Sequence, residues 1–210
     1  MKAWLSSIRR MGACGEAIEW GEQYGSLEDA WADCERGDWM LWLAGKLSGR
    51  SDSDSRKKLV LTACECARLA LSYVKEGENR PLKAIEEAEK WARGEDGITL
   101  QDVRDAADAA RAAARDVADA YAYAAAARDA ARDAYAYTAA AYAAAYAAAA
   151  ADVAWAAYAA AYAAAWTARD AADAEVETCK KCADIVRKHY PVAPSREVEL
   201  WRSMKGGNKW

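Results

Sequence analysis

Phenylalanine is absent from this 210-residue chain, histidine occurs once and proline three times. The aromatic content is instead ten Trp and eleven Tyr. Every aromatic side chain apart from the imidazole of His189 therefore joins a broad apolar face to one polar edge. A single histidine excludes HExxH sites, histidine-rich metal centres and most Ser–His or Cys–His nucleophile pairs. His189 sits near the C-terminal end of a predicted helix and reads as a capping or surface group. A phosphate-cradling glycine loop is also lacking. So is an excess of one charge: 29 basic and 33 acidic side chains leave a net charge of -4. That balance gives no general pull toward nucleic acid or an acidic membrane.

Residues 1–11 carry Lys2, Arg9 and Arg10, with no apolar run after them long enough for a signal peptide. The only stretch that superficially resembles a membrane span is 134–168. Alanine is weakly hydrophobic, and Asp133, Asp152, Arg169 and the tyrosines argue against insertion. The expectation is a cytoplasmic protein without membrane partners. The six cysteines are Cys14, Cys34, Cys64, Cys66, Cys179 and Cys182. They read as reduced and mostly buried thiols. Cys64 and Cys66 fall on nearly opposite sides of a helix and make a poor chelating pair. Cys179 and Cys182 share a face and leave open a thiolate zinc site with Cys14 or Cys34, or a redox pair. The reading adopted is no metal and no cofactor.

The first half is punctuated by helix signals. Residues 3–11 and 14–24 read as short helices. Ser26 with Asp29 three residues on makes a capping-box start, and Gly37 marks the end of that helix. Asp38 is placed as the cap of the next helix, where Trp39, Trp42, Leu43 and Leu47 share a face. The polar run 49–55 is a loop that caps a helix carrying Leu59, Ala63, Cys66, Ala70 and Tyr73 at helical spacing. Pro81 suits a first turn and Gly94 a helix end. Thr99 and Asp102 form a second capping box. From Thr99 to Tyr190 there is neither Gly nor Pro. One helix of that length would run about 135 Å, so two or three long helices are expected. Asp116, Asp133, Asp152 and Asp170 are candidate turns, and Ala174–Thr178 a break before a last helix ending at Pro191. The fold class is all-α, a helical bundle of short N-terminal helices and two or three long Ala/Tyr-rich ones. It divides into a helical segment 1–98, the long-helix region 99–190 and a C-terminal tail 191–210, tethered by Trp201 and Trp210.

Alanine lets helix axes approach closely, but its methyl groups bury little area, so the rings must supply much of it. Trp155, Tyr158, Tyr162 and Trp166 form one stripe and read as a packing seam. Tyr121 and Tyr123 lie about 200° apart around a helix, as do Tyr135 and Tyr137, so neither pair can join one seam. These four tyrosines, with Arg128 and Arg132 for an anionic group, are the candidate ligand-binding residues. Paired acids such as Asp105 and Asp108 read as a solvated face, and no catalytic set emerges. An ice-binding face would need a regular threonine array, and only Thr138 and Thr167 lie in the tract.

The segments DCERGDWMLWLAG (33–45), RKKLVLTACECARLAL (56–71), RPLKAIEEAEKWARGE (80–95) and CADIVRKHYP (182–191) flank the alanine tract in that order. In this combination the chain resembles the alanine-rich immunity proteins of the Imm-5-like group, found in bacteria and phages. The resemblance runs from about Leu27 to Pro191, and Trp31, Asp38, Trp39, Trp42, Glu86 and Trp91 match its characteristic segments. It implies an all-helical, non-enzymatic protein that occludes a toxin or a defence effector, and it carries over no ligand set. The alternatives left standing are a sponge that sequesters a nucleotide-like immune signal in an aromatic and arginine pocket, and a structural helical interaction protein. An enzyme such as a carboxylate–metal hydrolase is the competing class. A homodimer through close-packing alanine faces is left open.

Overall fold

In a computed structural model the described residues are 2–50, 53–74, 76–123 and 172–206. All regular structure among them is helical. The helices are α1 (Ala3–Arg10), α2 (Gly15–Gly21), α3 (Leu27–Asp33), α4 (Gly37–Leu47), α5 (Asp54–Arg68), α6 (Arg80–Arg93), α7 (Leu100–Tyr123), α8 (Ala172–His189) and α9 (Ser195–Gly206), with a 3-10 turn at Leu71–Tyr73. Among these residues no helix is long and apolar enough to cross a membrane.

The helix starts follow their caps. Ser26 Oγ accepts from the Asp29 amide at 3.1 Å and donates to its carboxylate at 2.6 Å. The Thr99 amide donates to Asp102 Oδ2 at 2.7 Å, and the Asp102 amide donates back to Thr99 Oγ1 at 3.3 Å. Both satisfy amides that a helix start leaves orphaned. Ser53 caps α5 by accepting from the Arg56 amide. Pro81 stands in the first turn of α6, and Gly94 ends that helix at φ 73, the left-handed conformation glycine adopts without a Cβ penalty.

Several boundaries differ from the sequence reading. Gly37 does not close α3, which ends at Asp33; it is the first residue of α4. A Cβ there would lie 2.4 Å from Cys182 Cβ and 2.5 Å from the Ala183 nitrogen, so glycine is where α4 touches the backbone of α8. Asp38 is therefore inside the first turn rather than a cap, buried and paired with Arg36. The α5 helix stops at Arg68, and Ala70 enters the core beyond its end. Asp116 lies within α7 and makes no turn. Ala174–Thr178 lies within α8 and makes no break. Residues 195–206, expected in a tail, form α9, which packs on α1 with Val198 buried and Trp201 half-buried. Asp133, Asp152, Asp170, Trp210 and the Trp155–Trp166 stripe lie outside the described residues.

The core is aliphatic and rich in alanine. α6 packs along both α5 and α7, and α8 packs on α4 and α5. Ala63 and Ala67 of α5, Ala84 and Ala88 of α6, and Ala107 and Ala110 of α7 are all buried in one cluster with Leu59, Ile85 and Val103. Small side chains at helical spacing let these three axes approach, and the interleaved Leu, Ile and Val supply the apolar area. α3 and the end of α8 are latched together. Trp31 Nε1 donates to the Tyr190 carbonyl at 3.0 Å. Arg187 donates to the carbonyls of Cys34 at 2.7 Å and Trp31 at 3.3 Å, filling acceptors left open where α3 ends.

Candidate functional site

The short helices α1–α4 enclose a cavity of about 270 Å³ that opens to solvent. α1 contributes Trp4 and Ile8, α2 Ala17 and Trp20, α3 Leu27 and Trp31, and α4 Trp39, Met40, Trp42 and Leu43. Five of the ten tryptophans of the chain thus line one space. Trp31 is buried, and the other four are half-buried with part of each ring open. None of the lining side chains is charged.

Local packing explains why these helices leave a hole. A Cβ at Gly21 would sit 2.8 Å from Leu5 Cδ1 and 3.0 Å from Trp4 Cη2, so α2 lies hard against α1 at this glycine. Beyond it the lining positions are Ala17 on α2 and Ala13 in the connection before it, whose methyl groups fill little space between large rings. The indoles brace one another. Trp20 meets Trp39 edge-on with centroids 5.8 Å apart, and Tyr24 packs on Trp20 at 4.7 Å. The Arg36 guanidinium lies 4.3 Å from the centroid of the Trp39 ring, and Lys46 Nζ lies 5.6 Å from that of Trp42. Positions 36, 39, 42 and 46 follow at steps of three, three and four, so α4 presents these cations and rings along one face.

Arg36 is fixed by two hydrogen bonds to Asp38, 2.9 Å to Oδ1 and 2.7 Å to Oδ2. The hydrogen bonds to Asp38 hold its pKa above the ordinary arginine value, so it stays a cation. Two thiols reach the cavity. Cys14 is exposed, whereas Cys34 is buried and burial pushes its pKa up to about 11. A thiol held protonated in this way is a poor nucleophile. The lining therefore offers shape, ring faces and apolar area.

A second space of about 310 Å³ lies between α1, α3 and α9. Its walls include Lys2, Glu28, Glu199 and Arg202, so it is a mixed polar cleft.

The ligand residues expected from the sequence lie elsewhere. Tyr121 and Tyr123 close the backbone of α7, and their side chains are outside the described set. Arg128, Arg132, Tyr135 and Tyr137 lie outside the described residues. Cys64 and Cys66 do point apart as expected: the Cys64 thiol donates to the Ile85 carbonyl on α6, and the Cys66 thiol to the Cys182 carbonyl on α8. None of the six cysteines is in a disulfide, and among the described residues no group of three or more His, Cys, Asp or Glu could hold a metal. His189 is neither a cap nor a free surface group; its Nε2 lies 2.8 Å from Glu65 Oε2 on α5. Asp108 and Arg111 form the expected surface pair at 2.6 Å.

Sequence reasoning missed the tryptophan cavity, although a signal was present. Half of the tryptophans fall within the first 42 residues, among short helices rich in Gly and Ala. Trp31, Trp39 and Trp42, close together in the sequence, all line the cavity. No protein family, no curated protein and no solved structure matches the chain.

Proposed function

We propose that this chain is a non-enzymatic binding protein of a bacterial or phage conflict system, and that it blocks a toxin or defence effector by taking one of its side chains into the tryptophan cavity. The observation that carries the reading is the cavity itself: open, lined by five indoles and free of charged lining groups. Pockets for drug-sized ligands span about 300–1,000 Å³. A space of about 270 Å³ is better matched to one large anchoring side chain. Anchors of this kind carry most of the energy of a protein interface when they enter a desolvated, aromatic-lined pocket. The conflict setting comes from the resemblance of residues 33–45 and 80–95 to the Imm-5-like group. The nucleotide-sponge alternative rests on Arg128, Arg132 and the neighbouring tyrosines, and the uncharged lining lends it no support.

The test places a photocrosslinking amino acid at Ala17, on the cavity wall, in cells of the source organism. The captured protein is then purified and its activity titrated with the native chain. Inhibition that is complete at one-to-one stoichiometry, and lost with the cavity-filling substitution Ala17→Trp, is the expected result. Equal inhibition by Ala17→Trp would remove the cavity from the mechanism. Native mass spectrometry of freshly purified protein gives the opposing outcome: an intact small molecule retained by the chain would favour the sponge.

A further inference from the structure

The charges on the α2–α3 side of the cavity are one-sided, whereas α1 and α4 carry Arg9, Arg10 and Lys46. Between residues 12 and 35, the stretch that builds α2, α3 and their connections, there is no Lys or Arg. The same stretch carries Glu16, Glu19, Glu22, Glu28, Asp29, Asp33 and Glu35, and all of them are exposed. Some of these carboxylates reach the rim of the cavity electrostatically. Glu16 acts on the Arg36 guanidinium that stacks on Trp39. Burial and then the Asp33 carboxylate raise the pKa of the Tyr24 phenol, and the Tyr24 ring packs on Trp20. The rim already holds two cations on ring faces: Arg36 over Trp39 and Lys46 over Trp42.

We infer that the occupant of the tryptophan cavity is an apolar or aromatic side chain carried on a basic segment of a protein partner. This rests on the reading of the cavity as a docking site and adds the partner's chemistry. The two surfaces divide the work. The uncharged cavity takes the anchor without desolvating an ion. The carboxylates outside it draw the basic flanks, which raises the association rate and selects against acidic partners. A cation beside the anchor also finds indole faces at the rim, the contact Arg36 makes within the chain.

The experiment uses the full chain and fluorophore-labelled synthetic peptides read by anisotropy. The first is lysine-rich with one central tryptophan, the second has that tryptophan replaced by alanine, and the third has glutamates in place of the lysines. The first peptide is expected to bind, and to weaken about tenfold when ionic strength rises from about 0.01 M to about 0.15 M. The alanine peptide and the glutamate peptide are expected to bind at least about tenfold more weakly. The combined reversal Glu16→Lys, Glu19→Lys and Asp33→Lys should cost the first peptide a similar factor. These positions are exposed, so folding is retained. Equal binding of the glutamate peptide would overturn the basic partner and leave the cavity as a docking site. Equal binding of the alanine peptide would overturn both, since the anchor would then contribute nothing. No binding of any peptide would overturn the inference as well.

Discussion

Replacing Gly37 by alanine tests the contact on which the cavity-bearing helices rest. The added Cβ would stand 2.4 Å from Cys182 Cβ, 2.5 Å from the Ala183 nitrogen and 2.6 Å from the Cys182 carbonyl carbon. Carbon atoms pack at about 3.5–4.0 Å, so the shortfall is about 1 Å. Two of the three obstructing atoms are backbone, and no rotamer change removes them. α4 would have to lift from α8 along a contact that buries Met40, Leu41, Ala183 and Val186. Overpacking of this kind costs about 1–3 kcal/mol or more, and alanine recovers about 0.5–1 kcal/mol of helix propensity over glycine. A net loss of about 1–2 kcal/mol follows, or about 2–8 °C in Tm for a chain of this size. Gly15 supplies the matched control. It is likewise the first residue of its helix, and a Cβ there meets nothing within 4 Å. Gly15→Ala is expected to be neutral or mildly stabilising. Urea unfolding followed by far-UV circular dichroism measures both variants. If Gly37→Ala matched Gly15→Ala in midpoint, the close approach of α4 and α8 would be refuted.

Three further outcomes are expected. Replacing Thr99 by alanine removes a hydroxyl from the reciprocal cap of α7 and should cost about 0.5–2 kcal/mol in urea unfolding. Burial raises the Glu89 carboxyl pKa, but hydrogen bonds from Arg68 at 2.9 and 3.0 Å, with Arg93 at 3.1 Å, outweigh it and the net shift is downward. With the folded pKa below the unfolded value of about 4.3, this carboxylate's stabilisation is present above that value and is lost as pH falls through the folded pKa. The urea midpoint should therefore fall with acidification more steeply in the native protein than in an Arg68→Met variant; parallel curves would remove Glu89 as the cause. In native protein treated with a thiol reagent, Cys14 should react at once, while Cys34, Cys64, Cys66 and Cys182 react only on unfolding. Mass mapping of the labelled sites checks this, and rapid labelling of Cys66 or Cys182 would contradict their burial between α5 and α8.

Local chemistry was legible in the sequence where a few neighbouring residues decide the outcome. The caps at Ser26 and Thr99, Pro81 inside the start of α6 and Gly94 past its end follow from hydrogen-bonding and φ preferences alone. The divergence of Cys64 and Cys66 follows from a 200° separation around one helix, and each thiol meets a different neighbouring helix. Gly37 was misread because a glycine that ends one helix and a glycine that admits another helix's backbone look alike in a sequence. Its role is set by Cys182 and Ala183, far along the chain. Asp38 was misread with it, since its partner Arg36 lies on the N-terminal side of the misplaced boundary. The C-terminal helix has only Val198 buried and Trp201 half-buried to mark an inner face. The cavity is harder still, because Trp4, Trp20, Trp31, Trp39 and Trp42 sit on four separate helices. Only the crossing of those helices brings the rings around one space, and the approach of α2 to α1 depends on Gly21.

The latch between α3 and the end of α8 sets an order of events during synthesis. The Trp31–Tyr190 bond joins residues 159 apart, and the Arg187–Cys34 bond residues 153 apart. At about 5–20 residues per second, about 8–30 s separates the translation of Trp31 from that of its partner. Through that interval the tryptophan-bearing helices exist without the carbonyl–arginine closure that fixes α3 against α8. A ribosome stalled before residue 187 would display these indoles without the latch.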